Sequence, residues 1–207
     1  MRASPRSSKV AYDLIAMASS AGGLEALSVV LSHLPGDFPA AIVVVQHLDP
    51  NHQSLMAEIL NRRTTLRIKQ AEEGDLIEPS AVHIAPPDRD LLVNGDGTLS
   101  LSHSERVHFV RPSADLLFES AAASYGPRAI AVVLTGTGQD GNMGVRAIAN
   151  RGGVVIVQDP ETANFRGMPD AALKTGCVDF VRGLEAIPGL LSSLVTGETK
   201  KEEVAGE

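Results

Sequence analysis

Asp13-Leu14-Ile15-Ala16-Met17-Ala18-Ser19-Ser20-Ala21-Gly22-Gly23 is the stretch on which the reading of the whole chain turns. A short apolar run ends in small residues and two glycines. A segment with helical spacing of its apolar residues, Gly22 to Leu34, follows it. The pattern is strand, tight turn, helix. Such a turn collects unsatisfied backbone N–H groups and a side chain at one point in space. A serine placed there has its hydroxyl presented and a developing negative charge stabilised beside it, the logic of a nucleophile elbow.

Two further apolar runs end the same way. Ala40-Ala41-Ile42-Val43-Val44-Val45-Gln46-His47 ends on a histidine, and Ala129–Leu134 leads into Thr135-Gly136-Thr137-Gly138-Gln139-Asp140-Gly141. Neither run alternates polar with apolar, which marks strands buried on both faces. Helical segments follow at about Gln53–Asn61 and Asn142–Asn150. Val154–Val157 and Val178–Val181 read as later strands, Met168-Pro169-Asp170 opens a helix, and Leu184–Val195 reads as the last helix. The middle is different: Leu91-Leu92-Val93 and Leu99-Ser100-Leu101 flank Asn94-Gly95-Asp96-Gly97-Thr98, a hairpin signal. Ser113 is placed to cap a helix running to about Tyr125. The order predicts an α/β fold, a doubly wound, mostly parallel sheet flanked by helices, with a small β-hairpin insertion. Residues 1–9 read as a disordered arm, 10–195 as one domain and 196–207 as a flexible tail.

Composition fits that reading. The chain has 207 residues, 43% apolar and only 3% aromatic, with no Trp. Its core is therefore Ala, Val, Ile and Leu, which suits parallel strands packed closely by helices. A formal net charge of −7 argues against nucleic acid or an anionic membrane surface as the main partner. The one cysteine, Cys177, excludes an intrachain disulfide and reads as a small hydrophobe in a short strand. The basic N-terminus lacks an apolar segment, and no run reaches the roughly 18 apolar residues of a membrane span. The expected compartment is the cytoplasm.

In a doubly wound sheet, ligands bind beyond the carboxyl ends of the strands where the winding reverses. Ser20, His47 and Asp140 each stand at or just after such an end. Together they supply a nucleophile, a base that titrates near neutrality and a carboxylate to orient it, a Ser–His–Asp hydrolase set. Taken singly, each has a plainer role: Ser19 or Ser20 as a cap of its helix, His47 held by local hydrogen bonds, Asp140 as a cap of its own helix. Co-location at strand ends favours the joint reading. The remaining histidines, His33, His52, His83, His103 and His108, follow no buried strand in this way. None pairs with metal-ligand spacing, so no metal is expected. A competing motif, Gly136-x-Gly138-x-x-Gly141 with Asp159 about 20 residues on, fits a dinucleotide-binding oxidoreductase. Against it, Asp140 would set a negative charge where a pyrophosphate must sit.

The chain resembles the catalytic domain of CheB-type chemotaxis receptor methylesterases, from Leu14 to Leu191. The family's G-A-S-T-G-G turn corresponds to Ala18-Ser19-Ser20-Ala21-Gly22-Gly23, which registers Ser20, not Ser19, as nucleophile. Its Q-H strand end is Gln46-His47. Its R-P-S-x-D-x-L-F is Arg111-Pro112-Ser113-Ala114-Asp115-Leu116-Leu117-Phe118. Its L-T-G-M-G-x-D-G is Leu134 to Gly141, and its F-G-M-P is Phe165-Arg166-Gly167-Met168-Pro169. The resemblance implies hydrolysis of glutamate γ-methyl esters on cytoplasmic chemoreceptor helices, with methanol released and water as co-substrate, without a cofactor, and often deamidation of receptor glutamines. It implies backbone N–H groups near Ala21 and Thr137 as oxyanion donors and Arg111 at a rim that receives the receptor helix. Ala21 stands where the family has Thr, and Thr137 where it has Met; both keep the backbone N–H. These departures leave a catalytically inactive receptor-binding module as a third reading. The family usually carries a receiver domain ahead of this one. A nine-residue arm is expected here instead, which leaves three alternatives: a protein that acts alone, a piece of a longer one, or one regulated by a separate protein.

Overall fold

β1 (Leu14–Ser19) and β2 (Ala41–Gln46), joined through α1 (Gly23–Ser32), are buried at every residue and lie parallel. This agrees with their unbroken apolar runs. The computed structural model describes residues 11–47, 54–103 and 111–198. The expected arm, His52, His108 and the tail from 199 onward lie outside the described residues.

The chain continues through α2 (Met56–Asn61), β3 (Arg67–Gln70), β4 (Ala81–Ile84), β5 (Asp90–Val93), β6 (Leu99–Ser102) and α3 (Ala114–Tyr125). It returns to the sheet with β7 (Ala129–Val133), α4 (Asn142–Asn150), β8 (Val154–Gln158), α5 (Gly167–Leu173), β9 (Phe180–Arg182) and α6 (Ile187–Thr196). Seven strands form one parallel sheet in the order β3-β4-β2-β1-β7-β8-β9, and β5 and β6 form a separate antiparallel pair. The doubly wound sheet with its hairpin insertion is as the sequence predicts. The winding runs outward from β1 through β2, then returns to pair β7 on the other side of β1. The switch point is therefore the gap between the ends of β1 and β7.

Each face of the sheet carries its own core. Ile15, Met17, Ile42 and Val44 face α1, α2 and α6. Leu14, Ala16, Ala18, Val43 and Val45 face α3, α4 and the hairpin. Alanines at 16 and 18 leave room for α3 to lie against β1. Close packing recurs between α3 and α4. A Cβ on Gly144 would stand 2.4 Å from Cβ of Phe118, so only glycine lets the two helices meet there. That contact brings the loop before α4 to the start of α3.

Two expectations shift. Val178 and Asp179 precede β9 rather than belonging to it, because the Asp179 carboxylate accepts the Val155 N–H and ends the ladder. Cys177 consequently sits in a turn, half-buried, with its N–H on Thr175 Oγ1. No helix among the described residues is long and apolar enough to cross a membrane.

Candidate active site

Alternation along β1 and β2 sorts the two adjacent serines. Ser19 and Gln46 are partners in register, on the α1 face. Ser19 is fully buried, and its hydroxyl donates to Gln46 Oε1 at 2.5 Å. Ser20 and His47 come one residue later, on the α3 side. The ladder carries over that step, since the His47 N–H donates to the Ser19 carbonyl at 3.1 Å. Ser20 is half-buried, and its N–H donates to the Thr135 carbonyl at 3.0 Å. Its Cβ approaches Gly136 so closely that a Cβ there would lie 2.8 Å away. The strand ends of β1, β2 and β7 thus converge on Ser20, His47 and the loop bearing Asp140.

His47 Nε2 lies 2.8 Å from Asp140 Oδ2, with the two side chains 14% and 4% exposed. Asp140 is not the cap of α4, its plainer role in the sequence. That helix begins behind Gly141, whose φ of 103° only glycine adopts readily, and it has no side-chain cap. The carboxylate turns to α3 instead. It accepts the N–H of Ala114 at 2.6 Å, the N–H of Asp115 at 3.2 Å and the Ser113 hydroxyl at 3.1 Å. Burial works to raise the Asp140 pKa. The hydrogen bonds from His47 and the α3 backbone outweigh it and hold the carboxyl below its ordinary value. An ionised carboxylate at the positive end of a helix dipole is thereby fixed against an imidazole.

Ser113 caps α3 as expected, its oxygen accepting the Leu116 N–H at 3.5 Å. Its second role, donating to Asp140, was missed by sequence reasoning. The available signal was its place in Arg111-Pro112-Ser113-Ala114-Asp115, at a helix start with no stated purpose beyond capping.

The loops that would hold an oxyanion are tied together by Thr135. Its hydroxyl donates to the Ala21 carbonyl at 3.0 Å and accepts the Phe165 N–H at 2.9 Å. The Phe165 carbonyl takes the Gly136 N–H at 2.9 Å, and the Gly136 carbonyl takes the Met168 N–H at 2.9 Å. Among the described residues no hydrogen bond uses the N–H of Ala21 or of Thr137.

Arg111 differs from its expected place at a rim. Its side chain is 6% exposed, with Nε 3.5 Å from Asp90 Oδ2 and a terminal nitrogen 3.3 Å from Asp88. Asp90 in turn accepts the Ser113 N–H at 2.9 Å, so Arg111 braces the turn that starts α3. Arg166, bulky where the family has none, points outward to Asp170 and Glu161.

The glycines of the competing motif have a local explanation. Gly136 admits Ser20 and the Met168 sulfur, and Gly138 and Gly141 have φ of 88° and 103°. Asp159 spends its carboxylate on the N–H of Glu161.

Residues 15–191 match the family described as CheB methylesterase. The chain belongs to that family. A putative protein-glutamate methylesterase/protein-glutamine glutaminase of Leptospira interrogans is 41% identical over 183 residues, which are 88% of this chain and 95% of the relative. The protein-glutamate methylesterase/protein-glutamine glutaminase of Thermotoga maritima is 38% identical over 189 residues, 90% of this chain and 55% of that one. That of Moorella thermoacetica is 39% identical, and the chain spans 45% of its length. The crystal structure of the Thermotoga maritima CheB methylesterase catalytic domain superposes with a TM-score of 0.86 at 37% identity, covering 90% of this chain and 100% of that one. Membership in the CheB methylesterase family, a family of hydrolases, decides against the oxidoreductase reading of the glycine loop.

Proposed function

We propose that this chain is a serine hydrolase that removes methyl groups from glutamate γ-methyl esters on the cytoplasmic helices of chemoreceptors. The observation that carries this reading is the 2.8 Å contact of His47 with a carboxylate anchored on α3, beside the strand end that bears Ser20. Ser20 Oγ attacks the ester carbon. Its proton passes to His47, and the carbonyl electron pair moves onto oxygen, facing the N–H groups of Ala21 and Thr137. Asp140 occupies Nε2, so Nδ1 is the ring nitrogen that takes the proton, the reverse of the usual arrangement in serine proteases. The tetrahedral intermediate collapses, methoxide leaves with the proton from His47, and methanol departs. Water, deprotonated by His47, then attacks the acyl-enzyme and restores Ser20. Replacing the ester by a glutamine side chain sends ammonia out instead, in keeping with the second activity in the relatives' names.

The oxyanion donors are backbone groups, so alanine at 21 and threonine at 137 leave them in place. Methanol release from methylated receptor fragments tests the reading. Ser20→Ala is expected to lose at least about a thousandfold in turnover, and Ser19→Ala no more than about fivefold. Retained hydrolysis in Ser20→Ala rejects the assignment. Receptor binding without methanol release by the unaltered chain identifies a binding module.

A further inference from the structure

Gln46 is 5% exposed and makes three hydrogen bonds behind the strand ends that bear Ser20 and His47. Its Oε1 accepts the Ser19 hydroxyl at 2.5 Å. Its Nε2 donates to the Ser20 carbonyl at 2.7 Å and to the His47 carbonyl at 3.0 Å. Two carbonyls can be satisfied only by the NH2 end of the amide, and a hydroxyl proton only by its oxygen, so the orientation is determined by the network. The Ser20 carbonyl also accepts the Gly23 N–H at 2.9 Å. In a planar trans peptide, the C=O of Ser20 and the N–H of Ala21 point in opposite directions. Whatever holds the carbonyl on one side aims the N–H on the other. Space is reserved for this device, because a Cβ on Gly23 would fall 1.8 Å from Gln46 Oε1. The corresponding peptide at Gly136–Thr137 is held by backbone alone, through the Met168 N–H.

We propose that the Gln46 carboxamide is a positioning residue for catalysis: it aims the Ala21 N–H at the oxyanion and fixes the backbone of His47, with Ser19 setting the orientation of the amide. This rests on the esterase reading above. Neither side chain touches the reacting atoms. They act by keeping one oxyanion donor preorganised, which is where such sites gain most of their rate.

The test compares a small activated ester with its thiono counterpart, C=S in place of C=O, because a sulfur anion is larger and a weaker acceptor than an oxygen anion. Competent sites are counted by titration with a fluorophosphonate, so misfolded protein drops out of the rate. Gln46→Met keeps the side chain's length and removes its hydrogen bonds. Expected are a fall of about ten- to a hundredfold in kcat per titrated site, KM within about threefold, and an ester-to-thionoester ratio reduced about tenfold. Ser19→Ala, a smaller change that carries the test if Gln46→Met does not fold, should move kcat and the ratio the same way by about two- to fivefold. Unchanged kcat per titrated site and an unchanged ratio overturn the proposal, while loss of activity in Ser20→Ala keeps the triad standing. Hydrolysis surviving in Ser20→Ala overturns the triad reading and this proposal together.

Discussion

His47 and His83 each face an aspartate from the region of a parallel strand, and the two pairs are built differently. His83 lies in β4 with its Nε2 4.0 Å from Asp75 Oδ2, and its side chain is 5% exposed. Its Nδ1 has no hydrogen bond among the described residues. Asp75 is engaged elsewhere, with Lys69 Nζ at 2.9 Å and the Glu72 N–H at 2.8 Å. Burial pushes the His83 pKa down, against the weaker pull of Asp75. His47 is the more exposed of the two and has the closer carboxylate. What separates them is the treatment of the aspartate. Asp140 draws on a helix N-terminus and a hydroxyl, whereas Asp75 is shared with a surface lysine. At His83 burial disfavours the charged ring; at His47 the ring meets a carboxylate already held by a helix end.

That contrast breaks most visibly at the aspartates. Asp140→Asn keeps the shape but puts an NH2 group where His47 and the α3 backbone both donate. The kcat/KM for methyl ester should fall by about 10³–10⁴, while Asp75→Asn should change it by less than about twofold. Equal effects from both variants would erase the distinction. A finer cut is Ser113→Ala, which removes one donor to Asp140 and the cap of α3. Turnover should drop about three- to tenfold with roughly 1 kcal/mol of stability, measured as initial rates and urea midpoints. An activity loss with no stability change would detach Ser113 from the helix.

The smallest effect is one of pH. Folded His83 takes up a proton less readily than the unfolded chain, whose imidazole titrates near its ordinary 6.5. Below that value the unfolded state binds more protons, so stability falls with pH through this window and is unaffected above it. Asp140 is shifted downward too, and its contribution is present above the ordinary carboxyl value and lost only in more acidic solution. His83→Gln should therefore flatten the loss of stability between about pH 7 and pH 5, leaving the acid limb unchanged. Urea midpoints across that range give the answer, and a His83→Gln curve parallel to the original contradicts it.

The sheet was legible because β1, β2, β7 and β8 are unbroken apolar runs that need two covered faces. The meeting of His47 with Asp140, beside the strand end that bears Ser20, was legible because strand ends in such a sheet share one edge. The donors to Asp140 were not, since a loop residue preceding α4 gives no sign that it will cap α3; that depends on Gly144 letting α3 and α4 meet. Arg111 read as a surface cation because its partners, Asp88 and Asp90, come from the start of the hairpin. Gln46 was legible as half of the Q-H strand end, but its task was not, as a polar residue closing a strand is ordinary. Only the register with Ser19 gives it a task.

The switch point has a consequence for synthesis. Asp140 lies 93 residues beyond His47, and it reaches the imidazole only after β7 has docked on β1 from the other side. A growing polypeptide carries Ser20 and His47 without the Asp140 carboxylate through the making of β3 to β6. The His47–Asp140 contact therefore reports the docking of β7 on β1. A chain cut between β6 and α3 would regain turnover only when its two pieces found each other.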